Sequence, residues 1–523
     1  MPLSGKNEPR EINPWLIAIA VMSSTFMEVL DTTVVNVSLP HIAGSLSASN
    51  DEATWTLTSY LVANAIILPM TGWLAGRFGR KRLLLLSVTG FTAASFLCGL
   101  APTLPFLIAC RVVQGACGGG LQPLSQAILM ESFPPEKRGQ AMAFWALGIV
   151  VAPMLGPVAG GWLTDNYSWR WVFYINVPIG VVALILTQIF IFDPPYLRHR
   201  EKRGIDFWGI GLLTIGIGSL QIMLDKGQED DWFGSRFITT LAVLAVVGLT
   251  ALIIRELTAE HPVLDLGVFK YRSFAVGTFL MTFIGFVLYG STVLLPLLMQ
   301  VILGYTATHA GITNLPRGLA SFIIMPIVGR LIGKFDSRKL LGIGLVASAY
   351  AMWELSKFSL DVASVDFWWP LMVQGAALGF VFVPLTTITN NPIPNERMGN
   401  ATSLFNLMRN IGASIGISMV ETVQFRNQQK HINILGEHIY PQSNTAQQML
   451  EAMKQHFISQ GSSAALATQQ AYGAVWGMVQ RQAAMLSYND TFLFLAIVFV
   501  GMIPFLFLLG KPKAGKAGAA MMH

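Results

Sequence analysis

Charged residues are scarce in this chain. Asp, Glu, Lys and Arg make up 12% of its 523 residues, whereas an ordinary soluble domain contains about 25%. Hydrophobic residues make up 53%. Because so few charges cannot cover the surface of a soluble protein, the composition predicts that most of the chain lies in lipid. The net charge of +6 does not indicate nucleic-acid binding, because the basic residues are spread over short loops between apolar runs.

Cysteine is rare as well. The three cysteines, Cys98, Cys110 and Cys117, all lie inside apolar runs, so they form no disulfide framework and have no metal-ligand spacing with histidine. The sequence also contains no Walker A motif, no H-E-x-x-H and no paired Cys/His sites. These absences argue against a membrane enzyme or receptor. They predict no catalytic residue, no metal site and no cofactor.

Long apolar runs are abundant, and fourteen of them reach the length of about 20 residues that a membrane-spanning helix needs. They lie at residues 15–38, 54–74, 83–101, 105–130, 139–163, 171–192, 205–224, 237–254, 273–301, 310–332, 340–356, 369–390, 399–424 and 488–510. Lys and Arg are concentrated in alternate short loops, and this bias predicts that both termini are cytoplasmic. The first run is too long for a signal-peptide core and is expected to remain as the first helix.

A sequence repeat divides the chain. The segment GWLAGRFGRKR at 72–82 recurs as GRLIGKFDSRK at 329–339, and the Gln-Gly-Ala of 114–116 recurs at 374–376. The nearly constant offset predicts two copies of a six-helix unit. Parallel six-helix halves are a transporter architecture, with the substrate path between the halves.

The predicted organisation is an all-α membrane protein of fourteen helices. Its segments are a cytoplasmic N-terminus (1–14), an N-terminal six-helix bundle (15–192), a linker with two extra helices (193–272), a C-terminal six-helix bundle (273–510) and a cytoplasmic tail (511–523). The C-terminal bundle contains a long extracytoplasmic loop, 425–487, within which 445–458 and 463–486 are compatible with helix.

The repeated basic turn joins the second and third helices of each half. Gly72 and Gly79 let helix ends approach closely, while Arg77 and Arg80 face lipid headgroups and helix carbonyl ends. We predict a gating or packing role for these four residues. The alternative is that the charges only fix orientation in the membrane, and the sequence alone does not decide between the two.

Small residues recur every four positions in the fifth span. They are Gly148, Ala152, Gly156 and Gly160, which form one helix face against which another helix can pack closely. Pro153 and Pro157 remove backbone donors and are expected to bend this helix. The sequence predicts a tight helix interface here, and a seal at one end of the substrate path.

Two acidic residues interrupt the first apolar run. Glu28 and Asp31 are three residues apart and therefore share a helix face; carboxylates in a bilayer are costly and usually face a cavity. Counted at about 1.5 Å per residue, Asp31 and Arg111 of the fourth span reach similar depths, with Gln114 one turn from Arg111. The sequence predicts an Asp31–Arg111 pair, which is either a static ion pair or part of a titrating, proton-coupling site that includes Glu28.

The second half has its own intramembrane polar residues. Arg409 and Asn406 lie one turn apart near the middle of the thirteenth span, and Arg317 lies in the tenth. The repeat places apolar residues at the matching positions of the first half, so we expect these three to bind substrate, together with Gln114 and Tyr289. The alternative interpretation of Arg317 is an interfacial side chain that reaches toward the headgroups.

Several of these segments resemble those of a known family. GWLAGRFGRKR is similar to the loop signature of the major facilitator superfamily. Three further segments resemble motifs of its drug:proton antiporters: LDTTVVNVSLP from Leu30, RVVQGACGG from Arg111 and APMLGPVAGG from Ala152. WRWVFYINVPIG from Trp169 and QIMLDKGQEDDWF from Gln221 are closest to the fourteen-helix EmrB/QacA branch.

The resemblance implies proton-driven export of hydrophobic, often aromatic or cationic, toxic compounds from a bacterial inner membrane. It maps the family's first-helix acid to Asp31, its fourth-helix residues to Arg111 and Gln114, and its fifth-helix Gly-Pro to Gly156 and Pro157. The family's loop acid is replaced by Gly76, and by Gly333 in the second copy. A gating carboxylate at that position is therefore absent.

The resemblance also implies partners. Pumps of this branch work with an EmrA-like periplasmic adaptor and an outer-membrane channel, and loop 425–487 is the expected docking surface; a passive linker or a cap over the outer gate is the alternative. An exporter or importer dedicated to one metabolite, such as a siderophore or an amino acid, remains a second hypothesis for the same fold.

Overall fold

The computed structural model describes most of the chain. The described residues are 13–193, 206–259, 262–332, 334–437 and 444–510. Most of the predicted N-terminal segment, part of the predicted linker, the tail 511–523 and Gly333 lie outside them. Within the described ranges, the regular structure is helical throughout and no β-strand occurs.

The first half contains eight α-helices. They are α1 (Pro14–Ser45), α2 (Asn50–Phe78), α3 (Arg80–Gly99), α4 (Leu104–Gly118), α5 (Leu121–Ser132), α6 (Arg138–Asn166), α7 (Trp171–Tyr174) and α8 (Asn176–Phe190). Helices α4 and α5 together occupy the fourth predicted span, and α7 and α8 occupy the sixth. The prediction of six spans in this half is confirmed, and two of the spans are interrupted helices.

The inserted pair and the second half follow. The inserted helices are α9 (Phe207–Lys226) and α10 (Arg236–Thr258), and the second half contains α11 (Arg272–Leu297), α12 (Ala307–Leu331), α13 (Ser337–Leu355), α14 (Trp368–Asn390), α15 (Met398–Glu437), α16 (Asn444–Ser459) and α17 (Ala464–Met502). Every predicted span therefore contains a helix. Among the described residues, twelve helical segments are long and apolar enough to cross a membrane, while α13 and α15 fill the two remaining predicted spans and are more polar.

The segment predicted as a loop, 425–487, is mostly helical. Helix α15 continues to Glu437, and α17 begins at Ala464, well before the predicted fourteenth span. Helix α16 packs against α17. The prediction of helices near 445–458 and 463–486 is confirmed: the first is the separate helix α16, and the second is the N-terminal part of α17.

The bundle has two distinct ends. We call the end that holds Gly79, Lys137 and Arg397 the basic end, and the opposite end, where α16 lies, the distal end. At the basic end Arg138 donates a 3.1 Å hydrogen bond to Asn391 of the other half. The start of α6 and the segment that follows α14 therefore meet across the two halves at this end.

The small-residue face of α6 packs on α1, as the four-residue spacing predicts. A Cβ added at Gly160 would lie 2.7 Å from the carbonyl oxygen of Val34, and one at Gly156 would collide with Thr33. Gly148 meets Met22 in the same way. Close backbone approach maximises van der Waals contact where lipid provides no hydrophobic drive for association.

The two prolines of this segment, Pro153 and Pro157, lie inside α6, which continues through both of them. The opposite face of α6 contacts α12 of the other half, where Gly139 and Gly329 approach each other. Helix α6 therefore joins the first helix of its own half to the second half.

The turn between α2 and α3 requires glycine. Gly79 has a positive φ of 84°, and a Cβ there would lie 2.8 Å from the Asp193 carboxylate, which accepts a 2.9 Å hydrogen bond from the backbone N–H of Lys81. Arg80 forms an ion pair with Glu131, and Arg77 lies 5.9 Å from the ring of Trp73. These contacts fix the end of α3 against α5 and α8.

Candidate functional site

The Asp31 carboxylate of α1 is enclosed by three donors from two other helices, α4 and α8. Arg111 Nη1 donates to Oδ2 at 2.6 Å, while Gln114 Nε2 and Asn176 Nδ2 donate to Oδ1 at 2.9 Å and 2.7 Å. All four side chains are fully buried. The predicted pairing of Asp31 with Arg111 is present, and we call these four residues the Asp31 cluster.

Arg111 is held in a fixed orientation. Its Nε donates to the carbonyl oxygen of Thr56 at 3.0 Å, and Nη1 also donates to Gln114 Oε1 at 2.8 Å. Its guanidinium lies 4.1 Å from the centre of the Tyr60 ring. A planar cation with several donors suits this site in a way that a lysine ammonium does not.

Glu28 lies one turn before Asp31 and faces a different set of residues. Its Oε1 accepts a 3.2 Å hydrogen bond from Asn64 Nδ2, and its Oε2 accepts a 2.6 Å hydrogen bond from Gln122 Nε2. The Gln122 oxygen in turn accepts a hydrogen bond from Arg409 Nη2 of the second half. Glu28 is only 4% exposed, so this carboxylate is closed off from solvent in the present conformation.

The contact between Gln122 and Arg409 is one of several that join α5 to α15. Asn406 Nδ2 donates to Gln126 Oε1 at 2.7 Å, and Thr402 Oγ1 donates to the carbonyl oxygen of Pro123 at 3.0 Å. We call this interface between Leu121–Ser132 and Met398–Glu437 the α5–α15 seam. It runs from Glu28 toward the basic end, where the N–H of Gly72 on α2 adds a 3.1 Å hydrogen bond to a serine of α15.

Arg409 is incompletely satisfied. Its side chain is fully buried, and its Nε and Nη1 have no hydrogen-bond partner among the described residues. A buried cation without partners is costly. These two nitrogens are therefore available as donors to a molecule that enters beside Arg409.

The remaining predicted substrate residues lie apart from these clusters. Arg317 is 9% exposed and donates to Thr292 Oγ1 at 3.3 Å. Tyr289 is half-buried on α11 and makes no side-chain hydrogen bond to the described part of the chain. The amide oxygen and the amide nitrogen of Gln114 both form hydrogen bonds within the Asp31 cluster. In this structure Gln114 therefore positions Asp31 and does not line an open surface.

Three buried amides of the site, Asn64, Asn176 and Gln122, are not predicted by the sequence reasoning. Asn176 lies within the segment WRWVFYINVPIG, from which only the family resemblance is drawn. A buried polar residue inside that apolar segment is the signal that identifies it. Gln122 and Asn64 also interrupt apolar runs, but their partners depend on the lateral order of the helices.

The inserted helix α9 is fixed to both halves near the distal end. Asp225 accepts a hydrogen bond from Thr58 of α2, and Lys226 donates to Thr54 of the same helix. Toward the second half, Gln221 and Ser414 of α15 share hydrogen bonds of 2.8 Å and 3.0 Å. The segment QIMLDKGQEDDWF therefore contacts both bundles.

Comparison with known proteins agrees with this arrangement. A sequence model described as the Major Facilitator Superfamily matches residues 21–417. The chain belongs to this superfamily. Members of the Major Facilitator Superfamily are secondary transporters, so the chain is a transporter and not an enzyme.

Individual relatives of this superfamily match nearly the full length. The Multidrug export protein EmrB of Haemophilus influenzae is 43% identical, covering 96% of each chain. The Fatty acid resistance protein FarB of Neisseria gonorrhoeae is 39% identical, covering 95% of this chain and 96% of its own. Among solved structures, the proton:xylose symporter XylE has a TM-score of 0.58 at 15% identity, covering 94% of this chain and 96% of its own, which supports the fold alone.

Proposed function

We propose that the chain is a proton-coupled multidrug efflux antiporter that exports hydrophobic and aromatic toxic compounds by alternating access. The observation that carries this proposal is the pair of buried carboxylates on one face of α1. Asp31 is paired with Arg111, while the hydrogen-bond donors to Glu28 among the described residues are the amides of Asn64 and Gln122. The names of the relatives, which refer to multidrug export and fatty acid resistance, support export of chemically varied compounds.

The two carboxylates differ in what neutralises them. The charge of Asp31 is balanced at 2.6 Å by Arg111, so ionised Asp31 is stabilised and the cluster holds α1, α4 and α8 together. Glu28 has no cation within ion-pair distance among the described residues, and an ionised carboxylate without one is expensive in a low-dielectric interior. Glu28 is therefore the group at which binding of a proton lowers the free energy most, with Asp31 and Arg111 completing the proton-coupling site.

Substrate binds between the halves in this proposal. Arg409 and Asn406 lie on the α5–α15 seam, and separation of the halves on one side exposes them to the path. Arg317 and Tyr289 contribute from the walls of the second half. The unpartnered donors of Arg409 then bind a polar group of the substrate, while the apolar lining binds its hydrophobic body.

The orientation follows from the distribution of charge. We place the basic end in the cytoplasm of a bacterial cell, with the protein in the inner membrane. The helical extensions between 425 and 487 then project from the outer face. They are the docking surface that we propose for an EmrA-like periplasmic adaptor leading to an outer-membrane channel.

The proposal is tested by dye efflux in everted vesicles energised with a proton gradient. Asp31→Asn and Glu28→Gln are expected to abolish gradient-driven transport, because each removes a titrating or charge-balancing carboxylate. The control is Asp165→Asn, which changes an exposed carboxylate at the distal end of α6 and is expected to retain transport. Unchanged efflux in both buried variants, at equal protein levels, contradicts the proposal.

A further inference from the structure

The amide of Gln122 lies between an acid of one half and a cation of the other. Its nitrogen donates to Glu28 at 2.6 Å, and its oxygen accepts from Arg409. A carboxylate only accepts hydrogen bonds and a guanidinium only donates them, so the amide forms a hydrogen bond with each of them in a single orientation. The three side chains form one directed chain of hydrogen bonds across the boundary between the halves.

The charge of Glu28 strengthens this chain. A hydrogen bond to an ionised carboxylate is about twice as strong as a neutral one, and it polarises the amide so that the amide oxygen becomes a better acceptor. The titratable and charged groups that face Glu28 are Asp31 on its own helix, Tyr60 on α2 and Arg409 on α15. Asp31 is neutralised by Arg111 and the phenol does not ionise near neutral pH, so Arg409 is the partner that senses the charge on Glu28.

We infer that Gln122 is a positioning residue that transmits the protonation state of Glu28 to Arg409, and so controls whether the α5–α15 seam is closed. This inference rests on the proposed function. Ionised Glu28 holds Arg409 through the amide and keeps the basic end closed. Both oxygens of Glu28 already face N–H donors, from Asn64 and Gln122. When Glu28 binds a proton, its negative charge is lost, and Arg409 therefore loses its indirect counter-charge.

The direction of the effect agrees with antiport. With the basic end in the cytoplasm, a proton taken up from the outside loosens the inner seam and favours the inward-open state. Loss of that proton restores the closed seam. Since hydrogen bonds to charged groups are worth about 1.5–3 kcal/mol, the ratio of closed to open molecules is expected to change roughly 10- to 150-fold.

The test measures the distance across the basic end in purified full-length protein in lipid nanodiscs. Spin labels are placed at Lys137→Cys and Pro394→Cys, both exposed and on opposite halves, in a chain whose three native cysteines are replaced by serine. Double electron–electron resonance is recorded from mildly alkaline to mildly acidic pH. The labelled parent is expected to gain a longer-distance population as the pH falls.

Two near-isosteric variants are expected to have opposite effects. Gln122→Met removes both hydrogen bonds, so the long-distance population should be present at every pH. Gln122→Glu supplies a carboxylate that binds Arg409 directly, so the short-distance population should persist into acid. The loss of pH dependence in Gln122→Met is the readout that a purely structural contact between Gln122 and Arg409 does not produce.

The matched control is Gln126→Met, one turn along the same helix. It removes the hydrogen bond to Asn406 but has no contact with Glu28, so the seam should weaken while its pH dependence remains. A Gln122→Met protein that keeps the pH response of the parent overturns the inference. A pH response that persists in Glu28→Gln contradicts the proposed proton-coupling role of Glu28 itself, so the two failures are distinguishable.

Discussion

Arg111 Nη1 donates a 2.6 Å hydrogen bond to Asp31 Oδ2, and neither side chain is exposed to solvent. This pair joins α1 to α4 within the first half. Breaking a buried pair by removing one partner costs about 3–5 kcal/mol, because the other charge is left uncompensated. Removing both charges together costs much less, so the two residues are expected to be strongly coupled in stability.

The first prediction is a double-mutant cycle on this pair. Asp31→Asn and Arg111→Gln should each lower the thermal unfolding midpoint, and the double variant should be more stable than the sum of the single effects predicts. The measurement is thermal unfolding in detergent. The same cycle on Lys454 and Glu451, an exposed pair at 3.4 Å, is the control and should show coupling of about 0–1 kcal/mol. Additive effects at Asp31 and Arg111 contradict the prediction.

The second prediction compares two adjacent glycines of α6. A Cβ at Gly160 lies 2.7 Å from a backbone oxygen of α1, whereas a Cβ at Gly161 meets only a methyl group of Val37, at 3.9 Å. Gly161→Ala should be neutral or stabilise by about 0.5–1 kcal/mol through helix propensity. Gly160→Ala should destabilise by about 1–3 kcal/mol through overpacking. Thermal unfolding and efflux rates of the two variants check this, and equal behaviour would show that α6 does not rest on α1 at Gly160.

The third prediction concerns the attachment of the inserted helix. Lys226 Nζ lies 2.5 Å from Glu229 with 6% of its side chain exposed, and Lys357 forms a similar pair with Glu354 at 3.0 Å with 43% exposed. Lys226→Met should destabilise by about 1–3 kcal/mol, because Lys226 also binds Thr54 of α2. Lys357→Met should cost less than about 1 kcal/mol.

Hydrogen exchange in residues 220–235 is the measurement for this prediction. Exchange should increase in Lys226→Met, because the end of α9 is released from α2. The Lys357→Met protein should exchange like the parent in this segment. No change in either variant would mean that the other contacts of α9 are sufficient to hold it.

The sequence was enough to predict which groups reach the same depth. The rise of a helix per residue is constant, so counting residues from each membrane boundary brought Asp31 and Arg111 together. The four-residue spacing of small residues likewise predicted the close packing of α6. Both inferences use the regular rise and spacing of residues along a single helix, and neither depends on which helices are neighbours.

The contacts between the two halves depend on how the helices are arranged side by side. Gln122 lies just after the interruption between α4 and α5, and its partner Arg409 is 287 positions away. Their meeting is set by the lateral order and rotation of packed helices, which hydrophobic runs do not specify. For the same reason the sequence predicts helices within 425–487, but not that α15 extends into this segment to Glu437 or that α17 begins within it at Ala464.

The fourth prediction is that transport requires the α5–α15 seam to open. In Arg138→Cys with Asn391→Cys, which replaces a pair joined by a 3.1 Å hydrogen bond across the halves at the basic end, a short reducible bifunctional thiol reagent should hold the seam closed and block efflux, and reduction should restore it. The reason is that Glu28 is closed off from solvent in this conformation, so proton exchange requires the halves to separate.

The matched control is Ser38→Cys with Thr164→Cys, which replaces two residues whose hydroxyls are 2.7 Å apart within the first half. Cross-linking there should leave efflux unchanged, because α1 and α6 move together. Efflux that continues with the basic end fully cross-linked would rule out alternating access through this interface.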